Sequence, residues 1–185
     1  MKNALSTIVL LSFVVTTFAQ ESDKRNYTET LKEDTIHLDL ASVRGINLFT
    51  SKEKLISILG EPDSIVNPHY ECGGFSEDWQ RKLFLQYYYG SLVFIGNEED
   101  YQIEFIHFDK DTTISVYYKG IIFNSKTRIE EMEKIFPKSY KNRYIPKDSS
   151  HIERLTILPQ SASDDRVLFW FKNGRLFKIQ YWTSC

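Results

Sequence analysis

The feature that most constrains this chain is a short passage that occurs twice, at residues 45–62 and 120–137. In each copy a glycine opens a short apolar run, and a helix-length stretch follows that ends at a proline. Gly45 and Gly120 lie 75 positions apart, and so do Pro62 and Pro137. This spacing predicts an α+β fold with two related units, each a short helix packed on an antiparallel β-meander.

The first copy contains the signals of a capped helix. The helix begins at Thr50 or Ser51, and Thr50 with Glu53 fits a capping box, in which each side chain satisfies the free backbone N–H of the other residue. Gly60 can adopt the left-handed conformation that ends a helix. A helix this short is not stable alone in water, so we expect its apolar side to lie on strands.

The second copy is weaker, and its predicted helix ends at Pro137. Around the two helices, alternating or continuous apolar runs predict strands. Gly90-Ser91 and Asn173-Gly174 predict hairpin turns, and residues 109–111 predict a tight polar turn between two strands of the first meander. The first unit then spans residues 35–118 and the second spans residues 119–185. The predicted strands are residues 35–40, 46–49, 82–89, 92–95, 101–108, 112–118, 152–158, 166–172 and 175–182.

The N-terminus has the pattern of a secretory signal. Lys2 precedes an apolar run at residues 8–15, and the small residues Thr17 and Ala19 occupy the two positions that a signal peptidase reads. This order predicts a signal peptide over residues 1–19, followed by a polar leader at residues 20–34. An uncleaved anchor is the alternative, although the apolar run is shorter than a membrane span. We therefore expect an exported protein, periplasmic or secreted, with no membrane span after cleavage.

Cys72 and Cys185 are the two cysteines of the chain. In an oxidising compartment two cysteines most simply pair, so we predict a disulfide between them. Two free thiols or an intermolecular bridge are the alternatives.

The sequence carries no pattern typical of a catalytic or cofactor site. The net charge is −2, which gives no basic footprint for nucleic acid. The four histidines are isolated, and the group formed by His69, Glu71 and Cys72 is interpreted as a loop beside a disulfide rather than as a metal site. We therefore predict no catalytic residues, no metal and no cofactor.

Aromatic residues make up 15% of the chain and concentrate in the strands. Tyr and Trp dominate the energetics of protein interfaces, so an exposed aromatic sheet face predicts a docking surface. The alternative is that the two units bury these faces against each other or against loops. The candidate binding residues are Tyr87, Tyr89, Tyr118, Trp170 and Trp182.

The first helical passage resembles the opening of exported bacterial domains in the β-lactamase-inhibitor-protein-like superfamily, which includes small outer-membrane lipoproteins. The second copy lacks a glycine before Pro137, and no lipobox cysteine is present. The resemblance implies a helix on an antiparallel sheet and a binding role, and it transfers no catalytic residue. The matching positions are Thr50, Ser51, Leu55, Leu59, Gly60 and Pro62, and more loosely Ser125, Ile129, Met132 and Pro137.

Together these features predict an exported, non-catalytic module that binds another protein, with inhibitor and immunity proteins as examples of the type. A cell-envelope assembly factor is the first alternative, suggested by the resemblance to the small lipoproteins. An enzyme that uses Cys72 with a histidine brought near by folding is the second.

Overall fold

Two sheets of mainly antiparallel strands contain most of the regular secondary structure of the described chain. The computed structural model describes residues 33–148, 151–160 and 164–185. The predicted signal peptide, and nearly all of the predicted leader, lie outside these residues. Within them the α+β class is confirmed, with strands predominating over short helices.

The strands and helices are numbered in chain order. The strands are β1 (Thr35–Ile36), β2 (Ala41–Val43), β3 (Ile46–Asn47), β4 (Phe49–Ser51), β5 (Ser64–Val66), β6 (Leu85–Tyr89), β7 (Leu92–Gly96), β8 (Asp100–His107), β9 (Ser115–Tyr118), β10 (Ile121–Asn124), β11 (Ile152–Pro159), β12 (Arg166–Lys172) and β13 (Arg175–Trp182). The helices are α1 (Lys52–Leu59), α2 (Glu77–Gln80), α3 (Met132–Ile135) and α4 (Pro137–Lys141), and 3₁₀ turns lie at Leu38–Leu40 and Ile129–Glu131.

The larger sheet has nine strands, in the order β1-β11-β12-β13-β8-β7-β6-β5, with β4 also paired to β8. The smaller sheet has four strands, in the order β10-β9-β2-β3. β1 runs parallel to β11, and the other pairs are antiparallel. The meander β6-β7-β8 and the meander β11-β12-β13 therefore meet edge to edge where β8 pairs with β13.

The two repeated glycines occupy the same kind of turn. Arg44 and Gly45 join β2 to β3 with φ of 49° and 81°, and Lys119 and Gly120 join β9 to β10 with φ of 47° and 80°. Two successive positive φ values define the hairpin turn that matches strand twist, and glycine adopts its second position without strain. The division predicted between residues 118 and 119 falls beside the second of these turns, and it stays a prediction.

Helix α1 begins one residue later than the capping box requires. Ser51 is the cap, and its Oγ accepts a hydrogen bond from the Lys54 backbone N–H at 3.3 Å. The hydroxyl of Thr50 has no hydrogen-bond partner among the described residues, so the capping box predicted for Thr50 is wrong. Gly60 ends the helix with φ of 81°, as predicted.

The end of the second helical passage also differs from the prediction. Helix α3 stops at Phe136, whose backbone leaves the helical region at φ −134° and ψ 69°. Pro137 does not end the passage but begins α4. Proline lacks a backbone N–H, and the first position of a helix needs none, so it starts a helix as readily as it stops one.

Two predicted strand arrangements are wrong. Residues 35–40 form only the two-residue β1, because the 3₁₀ turn Leu38–Leu40 follows at once. Residues 101–108 and 112–118 do not form a hairpin, since β8 belongs to the larger sheet and β9 to the smaller one. The polar turn between them therefore carries the chain from one sheet to the other.

One core joins both sheets and the helices. Phe123 of β10 lies 5.3 Å from Phe169 of β12 between ring centroids, and Phe136, after α3, lies 6.0 Å from Phe169. Leu55 of α1 is fully buried in the same core. The larger sheet therefore has a core face, covered by the smaller sheet and helices, and an opposite face, which we call the outer face.

Candidate functional site

Three of the five aromatic residues predicted to form a docking face are buried. Tyr87, Tyr89 and Tyr118 are only 4%, 5% and 5% exposed. The Tyr87 ring packs 4.5 Å from that of Tyr101, and the Tyr89 hydroxyl donates a hydrogen bond to the Gly60 carbonyl at 3.2 Å. In this conformation these three side chains contact the core and are not presented to a partner.

The other two predicted residues lie on the outer face. Trp170 alternates along β12 with Phe169 and Phe171, which are buried in the core, so its ring points the other way. Trp182, at the end of β13, is 43% exposed. The five residues therefore do not share one face, and whether Trp170 or Trp182 binds a partner stays a prediction.

Cations and aromatic rings alternate across the strands of the outer face. Trp170 of β12 is the cross-strand partner of Lys178 on β13 and of Arg154 on β11. Partners of this kind lie within reach of each other on the same face of a sheet. We call the row formed by Phe105, Lys178, Trp170, Arg154 and Tyr144 the cation–aromatic ladder.

The distances along the ladder place each cation between two rings. The Lys178 Nζ atom lies 5.7 Å from the Phe105 centroid and 4.9 Å from that of Trp170. The Arg154 Cζ atom lies 5.4 Å from the Trp170 centroid and 5.1 Å from that of Tyr144. These separations are within the range in which a cation is attracted to the face of a ring.

The ladder cations have no carboxylate neighbour in an ion pair. Neither Lys178 nor Arg154 forms a salt bridge within residues 33–148, 151–160 and 164–185. Burial lowers the pKa of Lys178, and Asp109 partly opposes that shift. In the same ranges Trp170 Nε1 and Arg154 Nε find no hydrogen-bond partner. The ladder therefore contains partly dehydrated cations and two buried N–H groups that have no hydrogen-bond partner among the described residues.

A second feature of the outer face lies where β8 changes partner. Phe105 of β8 pairs with Gln180 of β13, whereas Gln102 pairs with Phe49 of β4. Glu104 lies between these two pairings, beside a shift in the register of β7 against β8. The sheet forks here. A cavity of about 230 Å³ lies beside the fork, between Glu104, the end of β13 and the segment around Cys72, and we call it the Glu104 pocket. Its lining includes Tyr70, Glu71, Phe75, Glu104, Gln180 and Trp182.

Glu104 is a buried carboxylate held by two donors. It is 3% exposed; the Tyr70 hydroxyl donates to Oε1, and the Gln86 amide donates to Oε2 at 2.7 Å. Burial raises the pKa of Glu104, and the hydrogen bonds from Tyr70 and Gln86 act in the opposite direction. Tyr88 extends the network by donating to Gln86 Oε1 at 2.9 Å. Glu104 matches no sequence motif, and for this reason it was not among the predicted site residues.

The predicted disulfide forms one wall of the pocket. Cys72 and Cys185 are bonded across a sequence separation of 113 residues. Gly73 has φ of +88°, and a Cβ atom there would lie 2.7 Å from Thr183 Oγ1, so only glycine lets this segment pack on the C-terminal residues. The bonded Cys72 has no free thiol, which removes the nucleophile that the enzymatic alternative required.

A larger cleft of about 320 Å³ lies elsewhere, beside the start of α1. It is lined by Lys52, Lys82, Glu98 and Glu99, among others, and Lys82 lies 3.9 Å from Glu99 in an ion pair. Charges of both signs at the rim compensate each other here, so the cleft has no marked preference for a charged ligand.

The described residues contain neither a cluster of metal-binding side chains nor a membrane-spanning helix. In residues 33–148, 151–160 and 164–185, no three or more His, Cys, Asp and Glu side chains come together in a group that could hold a metal ion. Over the same ranges no helix is long and apolar enough to cross a membrane. Comparison with known proteins likewise found no match, whether against family models, curated proteins or solved structures.

Proposed function

We propose that this chain is an exported, non-catalytic module that binds another protein through the cation–aromatic ladder. The observation that carries the proposal is the pair of half-buried cations, Lys178 and Arg154, stacked on Trp170 with no carboxylate partner among the described residues. A partner that supplies carboxylates or backbone carbonyls would complete these interactions.

The composition of the ladder is that of an interface hot spot. Trp, Tyr and Arg are the residues whose truncation most often costs 2 kcal/mol or more of binding free energy. Burial has already removed part of the hydration of Lys178 in the free protein, and it lowers the pKa of that residue. Less hydration is then lost when an acidic surface docks, which favours a partner whose docking face is negatively charged. An inhibitor or immunity protein that covers an acidic target site is one form of such a module.

Export is supported by the cysteine chemistry and by the N-terminal sequence. A disulfide joins Cys72 to Cys185, and structural disulfides persist mainly in oxidising compartments. The pattern of residues 1–19 is that of a secretory signal. The periplasm or the extracellular medium is the compartment that fits both.

We further propose that the chain contains two related units. In the smaller sheet Ala41 pairs with Tyr118, and Val43 pairs with Val116. The two copies of the repeated passage are 75 positions apart, so at this spacing Ala41 corresponds to Val116, and Val43 corresponds to Tyr118. If each residue is replaced by its counterpart in the other copy, the pair Ala41–Tyr118 becomes the pair Val116–Val43, which is also present. A pairing that is unchanged when the copies are exchanged is what duplication produces around a local two-fold axis.

The ladder proposal is tested by affinity capture from the exported fraction of the source cells. The immobilised proteins are the wild type, Trp170→Ala and Trp79→Ala. Trp79 of α2 is 60% exposed and is not part of the ladder, so Trp79→Ala is a control for the loss of an indole outside the ladder. We expect a specific protein to be retained by the wild type and by Trp79→Ala, and Trp170→Ala to weaken its binding at least about thirtyfold.

Two further measurements make the result decisive. The captured protein is purified, and its affinity for each variant is measured at low and high salt, where a docking site built on cations loses affinity as salt rises. Equal retention by Trp170→Ala and the wild type, or no retained protein, would contradict the proposal.

A further inference from the structure

We propose that the Glu104 pocket is a binding site for an alkylammonium group, carried either by a free amine or by a lysine side chain. The site lies at the fork of the larger sheet, apart from the cation–aromatic ladder, and does not depend on the proposed docking function. The carboxylate of Glu104 lines it, with aromatic side chains around the cavity.

The carboxylate has capacity for another donor. Each Glu104 oxygen accepts one hydrogen bond, from Tyr70 and from Gln86. The two oxygens of a carboxylate together offer about four acceptor positions. None of the described residues that line the pocket is basic, so the negative charge is solvated by neutral donors alone. An ammonium group entering the cavity supplies both the missing donors and the opposite charge.

The walls of the cavity suit an organic cation better than a metal ion. Tyr70, Phe75 and Trp182 are aromatic, and the face of an aromatic ring attracts ammonium and quaternary ammonium groups. A hard metal ion needs six or more oxygen ligands, whereas the lining supplies two carboxylate side chains, those of Glu71 and Glu104. A volume of about 230 Å³ is below that of drug-sized pockets, which limits the ligand to a small head group and a short chain.

Burial of Glu104 makes the interaction selective for charge. The carboxyl is 3% exposed, and desolvation raises its pKa, so the isolated carboxylate is less stable here than in water. A bound cation restores that stability, whereas a neutral alcohol of the same size does not and an anion makes it worse. The expected order of affinity is therefore alkylammonium first, the neutral isostere far behind, and the carboxylate isostere without binding.

The test uses purified protein and defined probes: n-butylammonium, tetramethylammonium, Nα-acetyl-lysine amide, 1-butanol and butyrate. Binding is measured by calorimetry and by tryptophan fluorescence, since Trp182 lines the pocket. The variant is Glu104→Gln, which keeps the shape of the side chain and removes its charge. The matched control is Glu133→Gln, on the exposed side of α3 and outside the pocket lining.

We expect saturable binding of the ammonium probes by the wild type and Glu133→Gln, with at least about tenfold weaker binding by Glu104→Gln. Tighter binding of the lysine derivative than of butylammonium would identify a protein side chain as the source, and the reverse order would identify a free amine. The proposal is overturned if no ammonium probe saturates, if 1-butanol binds equally well, or if Glu104→Gln binds like the wild type.

A second measurement covers the case in which Glu104→Gln fails to fold. Tetramethylammonium does not titrate, so any pH dependence of its binding to the wild type comes from the protein. Affinity should fall as the pH is lowered through the raised pKa of Glu104, because the protonated carboxyl no longer attracts the cation. Affinity that stays constant through this range would overturn the assignment to Glu104.

Discussion

The ladder and the Glu104 pocket are neighbours on one sheet face but handle charge in opposite ways. In the ladder, Lys178 of β13 packs on Phe105 of β8 as a cation with no ion-pair partner among the described residues. One residue before Phe105, Glu104 is a buried anion held by hydrogen bonds alone. Opposite charges on neighbouring strands are thus kept apart instead of being paired.

Strand pairing explains the separation. Where β8 and β13 are paired, side chains stand in a row at cross-strand spacing, and long cationic side chains can lie along aromatic rings while their ends stay near water. Beside the fork, Glu104, the end of β13 and the disulfide-linked segment together line a cavity. The paired part of the sheet therefore favours contact with a broad surface, and the fork favours a small ligand.

The largest expected effect comes from removing the disulfide, which lines the Glu104 pocket and is not part of the ladder. The variant Cys72→Ser/Cys185→Ser opens a covalent loop that spans a separation of 113 residues. The chain-entropy model assigns about 4–5 kcal/mol of unfolding free energy to a loop of this length. We expect urea denaturation to show that the unfolding free energy of the variant is lower by this amount. We also expect the variant to lose butylammonium binding.

The same variant separates the two regions. The ladder strands β11, β12 and β13 pair with one another without help from the disulfide. Retention of the protein partner should therefore survive under conditions in which the variant stays folded. Loss of partner and amine binding together, in protein that is still folded, would show that the two regions form a single site.

A smaller effect is expected in the pH dependence of stability. The pKa of Glu104 in the folded protein is raised above its ordinary value of 4.5. At a pH between the ordinary and the raised pKa, Glu104 is therefore ionised in the unfolded chain but still protonated in the folded protein. The stabilising contribution of Glu104 is then complete below about pH 4.5 and is lost as the pH rises through the raised pKa.

Urea denaturation of the wild type and Glu104→Gln over this range measures the effect. The glutamine variant has no group to titrate at this position, so its stability should gain on that of the wild type as the pH rises. Parallel pH profiles for the two proteins would show that Glu104 is solvated well enough to keep an ordinary pKa, and would weaken the contrast with the ladder.

The sequence predicted the local features and missed the ones that depend on how strands meet. Gly60, the Asn173-Gly174 turn and the pairing of Cys72 with Cys185 were correct, because backbone conformation and thiol chemistry act locally or in pairs. The capping box predicted for Thr50 was wrong because the adjacent Ser51 caps the helix instead. The role predicted for Pro137 was wrong because a proline can begin a helix as well as follow one.

The candidate site was harder to predict than the fold. Alternation along a strand shows that half the side chains share a face, but it does not show which half faces the core when both halves are aromatic. For this reason the predicted docking face includes both Trp170 and the pair Tyr87 and Tyr89. In the structure the two tyrosines point into the core, whereas Trp170 lies on the outer face. Glu104 gains its surroundings from a fork between strands that are distant in the chain, and no local pattern signals such a fork.

The smallest expected effect on stability is that of Lys178→Met, and it decides whether the ladder is a brace or a docking surface. Methionine keeps an unbranched chain that packs on the rings of Phe105 and Trp170. The substitution also removes the Lys178 ammonium group, whose pKa is lowered by burial. The lost cation–π attraction and the relieved desolvation oppose each other. The unfolding free energy at neutral pH should therefore change by less than about 0.5 kcal/mol, a typical value for a surface substitution.

Partner binding should weaken markedly in the same variant, because the cation is what an acidic surface contacts. A loss of stability well above that value, with partner binding unchanged, would mean that Lys178 holds the strands together and that docking takes place elsewhere.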